Sequence, residues 1–136
     1  MLVVAEAKDL RDVVSAILED HGAEVLPMAS AGDALRALPS FKPEVLLTQV
    51  EMGGESGLSL IRTVRALPLE HGGGVPAAAL TAFGRTEDRV EALRAGFDID
   101  LTVPVQPAEL LAVVARLGRR AADRPPAGPD REDGEP

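Results

Sequence analysis

The chain has 136 residues, with 14 Lys plus Arg against 22 Asp plus Glu, a formal net charge of -8 and no cysteine. That length suits one domain with a buried core. The acidic balance repels the backbone of a nucleic acid, and the lack of thiols excludes a disulfide framework, a thiol nucleophile and thiolate zinc sites.

Leu2 to Val4 is a short apolar run that reads as a first strand, leading through Ala5 and Glu6 into a segment of helical period. There Leu10, Val13, Val14, Ile17 and Leu18 form one apolar stripe, which His21-Gly22 ends, with Gly22 suited to the left-handed position after a helix. Glu24 to Leu26 is the second strand, stopped by Pro27. Ser30 can cap a second helix whose inner face is Ala31, Ala34, Leu35 and Leu38 and which Pro39 ends. Glu44 to Thr48 is a third strand, a buried apolar run that breaks at Gln49 into a polar loop reaching Ser56. A third helix, Gly57 to Ala66, turns Leu60, Ile61 and Val64 inward, and Pro68 to Gly74 is a loop.

Val75 to Leu80 is a fourth strand made mostly of alanine, a weak strand former, so its place in the alternation carries the assignment. Thr81 lies at its carboxyl end. Thr86 can cap a fourth helix with Glu87 and Asp88 in the first turn, and Val90, Leu93 and Ala95 lead to Gly96 as its stop. Phe97 to Val103 is a fifth strand. Pro107 starts a last helix, where its missing N–H costs nothing, and Leu110, Leu111, Val113, Val114 and Leu117 are its buried stripe. Arg119 and Arg120 suit a helix C-terminus rather than a nucleic-acid patch. The domain is expected to span 1–121, with 122–136, rich in Pro, Gly and charge, as a disordered tail or linker. With no Trp or Tyr the core must be aliphatic, Phe41, Phe83 and Phe97 being its aromatics.

Five strands alternating with five helices specify a parallel sheet with right-handed crossovers and helices on both faces. A closed barrel needs more chain, so the expectation is an α/β, flavodoxin-like (βα)5 doubly wound sheet of strand order 2-1-3-4-5. In such sheets the site lies beyond the carboxyl ends of the strands, which here brings together Ala5, Glu6, Gln49, Thr81 and Val103.

At these residues the chain resembles the receiver domain of two-component response regulators, and in particular the receivers attached to bacterial hybrid sensor kinases. The likeness runs from Leu2 to about Leu117. It is carried by Leu2-Val3-Val4, Asp9-Leu10-Arg11, His21-Gly22-Ala23-Glu24-Val25, Pro43-Glu44-Val45-Leu46-Leu47, Ala79-Leu80-Thr81-Ala82-Phe83, Ala95-Gly96-Phe97 and Pro104-Val105-Gln106-Pro107-Ala108-Glu109-Leu110. The resemblance implies transfer of a phosphoryl group from a histidine kinase to an aspartate ending strand three. It also implies an acidic pair after strand one for Mg²⁺, a Thr or Ser after strand four and a Lys before the proline after strand five.

The chain departs from that pattern at several positions. Gln49 stands at the acceptor, Ala5 at the first acid with Glu6 left as the second, and Val103 at the lysine, while Thr81 is retained. A neutral amide cannot form an acyl phosphate. Asp100 stands where many members carry an aromatic, and Gly53-Gly54 where a proline is common, so that loop is expected to be more mobile. Glu51, Glu55 and Ser56 read as a solvated loop rather than as substitute acceptors, and His21 and His71 as surface residues. The face formed by the fourth helix, fifth strand and fifth helix, with Arg89, Glu91, Arg94, Asp98, Asp100 and Glu109, is the family's docking face.

The expectation is therefore a degenerate receiver, a phosphorylation-independent protein interaction module and not an enzyme, with no cofactor and no metal. Its expected partner is a sensor histidine kinase or an adjacent kinase domain, or a second copy in a homodimer, and not a nucleic acid. The alternative is a receiver still phosphorylated at a non-standard residue with Mg²⁺. A flavin protein of the same topology is disfavoured, because no phosphate-cradling loop follows the first strand. No run reaches about eighteen apolar residues and no signal-peptide pattern opens the chain, so no membrane contact and a cytoplasmic location are expected.

Overall fold

The computed structural model describes residues 1–82 and 84–123. Within them the order is β1 (Leu2–Val4), α1 (Lys8–Asp20), β2 (Leu26–Met28), α2 (Ala31–Phe41), β3 (Leu46–Gln49) and α3 (Gly57–Arg65). A single 3-10 turn (Leu69–His71) leads to β4 (Ala77–Thr81), α4 (Thr86–Ala95), β5 (Ile99–Thr102) and α5 (Pro107–Asp123). The strands form one parallel sheet in the order β2-β1-β3-β4-β5, as the alternation predicts.

Strand residues alternate between two aliphatic cores because successive side chains point to opposite faces. Leu2, Val4, Leu46, Ala77 and Ala79 pack with α2, α3 and α4 through Ala34, Leu38, Leu60, Ile61, Val64 and Ala92. Val3, Leu47, Ala78, Leu80 and Leu101 pack with α1 and α5 through Val14, Leu18, Leu110, Val114 and Leu117. Phe97 is buried in the first core, Phe41 is half-buried, and Phe83 lies outside the described residues. Burial of both faces accounts for the near-continuous apolar runs of β1, β3 and β4.

Several expectations need correction. Pro27 lies inside β2 rather than ending it, paired with Val3. Leu26 donates to Met1 and Met28 accepts from Ala5, so those two residues face β1 while the proline ring faces outward from an edge strand, where no N–H is needed. Pro39 lies inside α2, which continues to Phe41 and closes on Lys42 in the left-handed region at φ 51°. One proline in the last turn forfeits one helical hydrogen bond, and Leu38, fully buried, anchors that turn. Gly22, at φ 90°, takes the left-handed place predicted for it.

In α4, Thr86 is the first helical residue and caps nothing. Arg85 holds the N-cap position, and its side chain pairs with Asp88 at 3.0 Å. The inward face of α4 is Ala92 and Ala95, while Val90 and Leu93 are 38% and 40% exposed. Alanine lets the helix approach closely, so the larger side chains are left outside. Val13 of α1 is likewise exposed, beside a stripe otherwise buried at Val14 and Leu18. Helix α5 runs two residues beyond the expected boundary at Ala121, and 124–136 lie outside the described residues.

Candidate functional site

The register aligns the strand ends. Val4 lies beside Thr48, Gln49 beside Leu80, and Thr81 beside Thr102, so Ala5, Gln49, Thr81 and Val103 come to one edge of the sheet. Helix α3 begins close to that edge because residue 57 is glycine: a Cβ there would lie 2.3 Å from the Gln49 carbonyl oxygen and 2.9 Å from Val50 Cα. Ser56 accepts from Ser59 N and fixes the start of the helix.

At this edge the side chains bond to the backbone of neighbouring loops. Gln49, half-buried, accepts from Ala7 N through Oε1 at 3.1 Å and donates from Nε2 to the Glu51 carbonyl at 2.8 Å. Both ends of its amide are therefore occupied. Glu6, exposed, accepts from Gly53 N at 2.6 Å, a charge-assisted bond joining the loop after β1 to the loop after β3. Ala5 is fully buried and brings no polar side chain, and its carbonyl accepts from Arg11 Nη1 at 2.8 Å.

Thr81 is buried, with Oγ1 3.5 Å from the Leu101 carbonyl, a weak hydrogen bond that directs the hydroxyl toward β5. Val103 is half-buried against the core of α1 and α5, and its N–H donates to the Thr81 carbonyl at 2.8 Å. All five predicted site residues thus lie at the same end of the sheet. Gln49 and Glu6 join a polar network there, whereas Ala5 and Val103 extend the apolar packing.

The residue that sequence reasoning undervalued is Glu51. It is exposed, as the solvated reading has it, yet its Oε1 accepts from Ala82 N at 3.2 Å and joins the loop after β3 to the loop after β4. Arg85 follows in that loop; its guanidinium pKa is raised first by the hydrogen bond to Asp88, with the charge of Glu51 among the smaller contributors. The available signal was position, two residues beyond the strand tip, but pairing to Ala82 depends on how far apart β3 and β4 end.

Gly53, expected in a mobile stretch, is held through its N–H by Glu6. Glu55 accepts from Ser59 Oγ at 2.8 Å. His21 and His71 are exposed, and His21 Nδ1 lies 3.1 Å from the Ile17 carbonyl. Among the described residues no cluster of His, Asp and Glu is placed to hold a metal ion. A groove lined by Leu38, Lys42, Leu69, Glu70 and Ala121 lies at the opposite end of the sheet, separate from this network.

The response regulator receiver domain model matches residues 1–115. The chain belongs to the response regulator receiver domain family. As a receiver it is similar to an uncharacterised 14.6 kDa protein of Leptolyngbya boryana, 45% identical over 114 residues that cover 84% of this chain and 86% of that one. It is 33% identical to protein PetR of Rhodobacter capsulatus over 95% of this chain and 52% of PetR. It is 30% identical to the phosphate regulon transcriptional regulatory protein PhoB of Escherichia coli over 88% of this chain and 52% of PhoB. The receiver therefore spans about half the length of PetR and PhoB.

Among solved structures, a response regulator from Chloroflexus aurantiacus superposes with a TM-score of 0.82 at 28% identity, covering 88% of this chain and 96% of that one. The receiver domain of Francisella response regulator 1452 superposes with a TM-score of 0.78 at 25% identity, covering 88% and 95%. The receiver fold and a place in two-component signalling follow. No helix of the described residues is long and apolar enough to cross a membrane.

Proposed function

We propose that this receiver is degenerate and acts as a protein interaction or regulatory module in two-component signalling, in a way that does not depend on phosphorylation. The observation that carries the reading is Gln49 at the tip of β3, with both ends of its amide engaged by backbone partners. An amide is a poor nucleophile and does not form an acyl phosphate. The donors also fit Mg²⁺ badly. A magnesium site needs near-octahedral hard oxygen ligands, yet Ala5 offers no side-chain oxygen, Glu6 is turned to Gly53 N, and the Gln49 oxygen is turned to Ala7 N. Val103 supplies no cation to face a phosphoryl group.

The partner is a protein, with a sensor histidine kinase or an adjacent kinase domain first and a second copy of the chain next. The hybrid-kinase resemblance supports the former, and the net charge of -8 argues against nucleic acid. The module is not an enzyme, and a cytoplasmic setting suits a kinase partner. On the expected docking face, Arg89 pairs with Asp100 at 3.5 Å, while Asp98 is committed to Arg65, Ala77 N and Arg120. That leaves Glu91, Arg94 and Glu109, with exposed Val90 and Leu93, as the contact chemistry.

Phosphorylation at a substitute residue gains no support from the geometry. Glu51 is held by Ala82 N, Glu55 by Ser59 Oγ, and Ser56 is a helix cap. The test is intact-mass measurement after incubation with Mg²⁺ and acetyl phosphate, beside a receiver known to be labelled under the same conditions. No mass gain is expected. A labile gain of one phosphoryl group would overturn the reading.

A further inference from the structure

The three loops at the functional end are laced together by side chains of this chain alone. Glu6 reaches from the loop after β1 to Gly53 N, Gln49 reaches from β3 back to Ala7 N, and Glu51 reaches to Ala82 N beyond β4. Each contact joins a side chain at one strand end to a backbone N–H in a neighbouring loop. Within it Glu51 is distinctive. Its main-chain carbonyl is fixed by Gln49 Nε2, so its backbone is anchored while its carboxylate spans to the next loop.

We propose that Glu51 is a built-in anionic latch, whose carboxylate holds the Ala82 N–H and ties the loop after β3 to the loop after β4, setting the entry to α4 from within the chain. This deepens the phosphorylation-independent reading and rests on it. A carboxylate oxygen and a phosphoryl oxygen are the same kind of charge-assisted acceptor for a backbone N–H. With Ala82 N already taken by an anion that is part of the chain, the loop gains its ordering contact at folding rather than on a signal. The charge environment fits, since the Arg85 side chain three residues beyond Ala82 lies within the field of Glu51 and is held by Asp88 at 3.0 Å. Helix α4 begins at the next residue and carries the exposed Val90 and Leu93.

Amide hydrogen exchange, read residue by residue by NMR on the full chain with chelator present, tests the latch. In Glu51→Ala the Ala82 amide is expected to exchange at least about tenfold faster, while Leu80 in β4 and Gly53, held by Glu6, keep their rates. Glu51→Gln, nearly isosteric, is expected to fall between wild type and Glu51→Ala, and it preserves the test if the alanine variant fails to fold. An Ala82 rate unchanged in Glu51→Ala overturns the latch, and a Glu51→Gln rate equal to wild type overturns its anionic character. The outcome is separable from the phosphodonor experiment. A labelled wild-type protein with an Ala82 rate that responds to Glu51 sinks the functional reading and spares the latch; an unlabelled protein with an indifferent Ala82 does the reverse.

Discussion

At the scale of single residues, polar side chains at both ends of the sheet mainly bind backbone. At the carboxyl ends of the strands Gln49, Glu6 and Glu51 do so. At the opposite end Arg65 donates from Nε to Gly96 O at 2.9 Å and from Nη1 to Gly73 O and Val75 O at 3.0 and 2.6 Å, and reaches Asp98 at 3.3 Å. Asp98 in turn accepts from Ala77 N at 2.8 Å. Arg65→Met keeps most of the aliphatic stem but strands these acceptors, and is expected to lower unfolding free energy by about 2–3 kcal/mol in urea with little change in slope. Arg120, half-exposed and bonded to the far side of the same carboxylate, is expected to matter by less than about 1 kcal/mol when changed to alanine. Equal effects of the two changes would contradict this division. The identity of Gln49 was legible in the sequence, because a strand-tip residue is found by counting from the apolar run. The work of Arg65 was not, because its acceptors lie 8, 10, 31 and 33 residues away.

At the scale of elements, helix α4 separates pattern from packing. Val90 and Leu93, its largest apolar residues, stay exposed, while the sheet takes Ala92 and Ala95. A helix with few large apolar side chains has a weak stripe, and whichever face permits the closest approach is buried. Val90→Gln and Leu93→Gln should each shift stability by less than about 0.5 kcal/mol. Ala92→Gln, forced into a site 1% exposed, should cost about 1–3 kcal/mol by overpacking, with thermal unfolding as the readout. The reverse ranking would contradict this assignment of the buried face. Helices α1, α3 and α5 were more legible, since their stripes carry Leu, Ile and Val at helical spacing, though Val13 shows that the stripe in α1 is narrower than its pattern. The prolines misled for different reasons: Pro27 sits on a sheet edge where no N–H is needed, whereas Pro39 forfeits one helical hydrogen bond in the last turn of α2, which the burial of Leu38 offsets.

At the scale of the whole molecule, two aliphatic cores on either side of one parallel sheet hold the fold, and among the described residues the last buried core residue of α5 is Leu117. A chain ended after Asp123 is expected to keep its thermal midpoint within about 2 °C, because residues 124–136 carry no apolar side chain larger than Ala apart from the prolines. A drop of 10 °C would assign residues beyond that point a structural role. The sequence by itself determined the alternation of strands and helices, the doubly wound order and the placement of Ala5, Glu6, Gln49, Thr81 and Val103 at one sheet edge. Those follow from local periodicity and from the handedness of parallel crossovers. Only the tertiary structure decided that Glu51 reaches Ala82, that Glu6 is spent on Gly53 N, and which face of α4 is buried. Each depends on the distance between segments far apart in the chain, which no local pattern encodes.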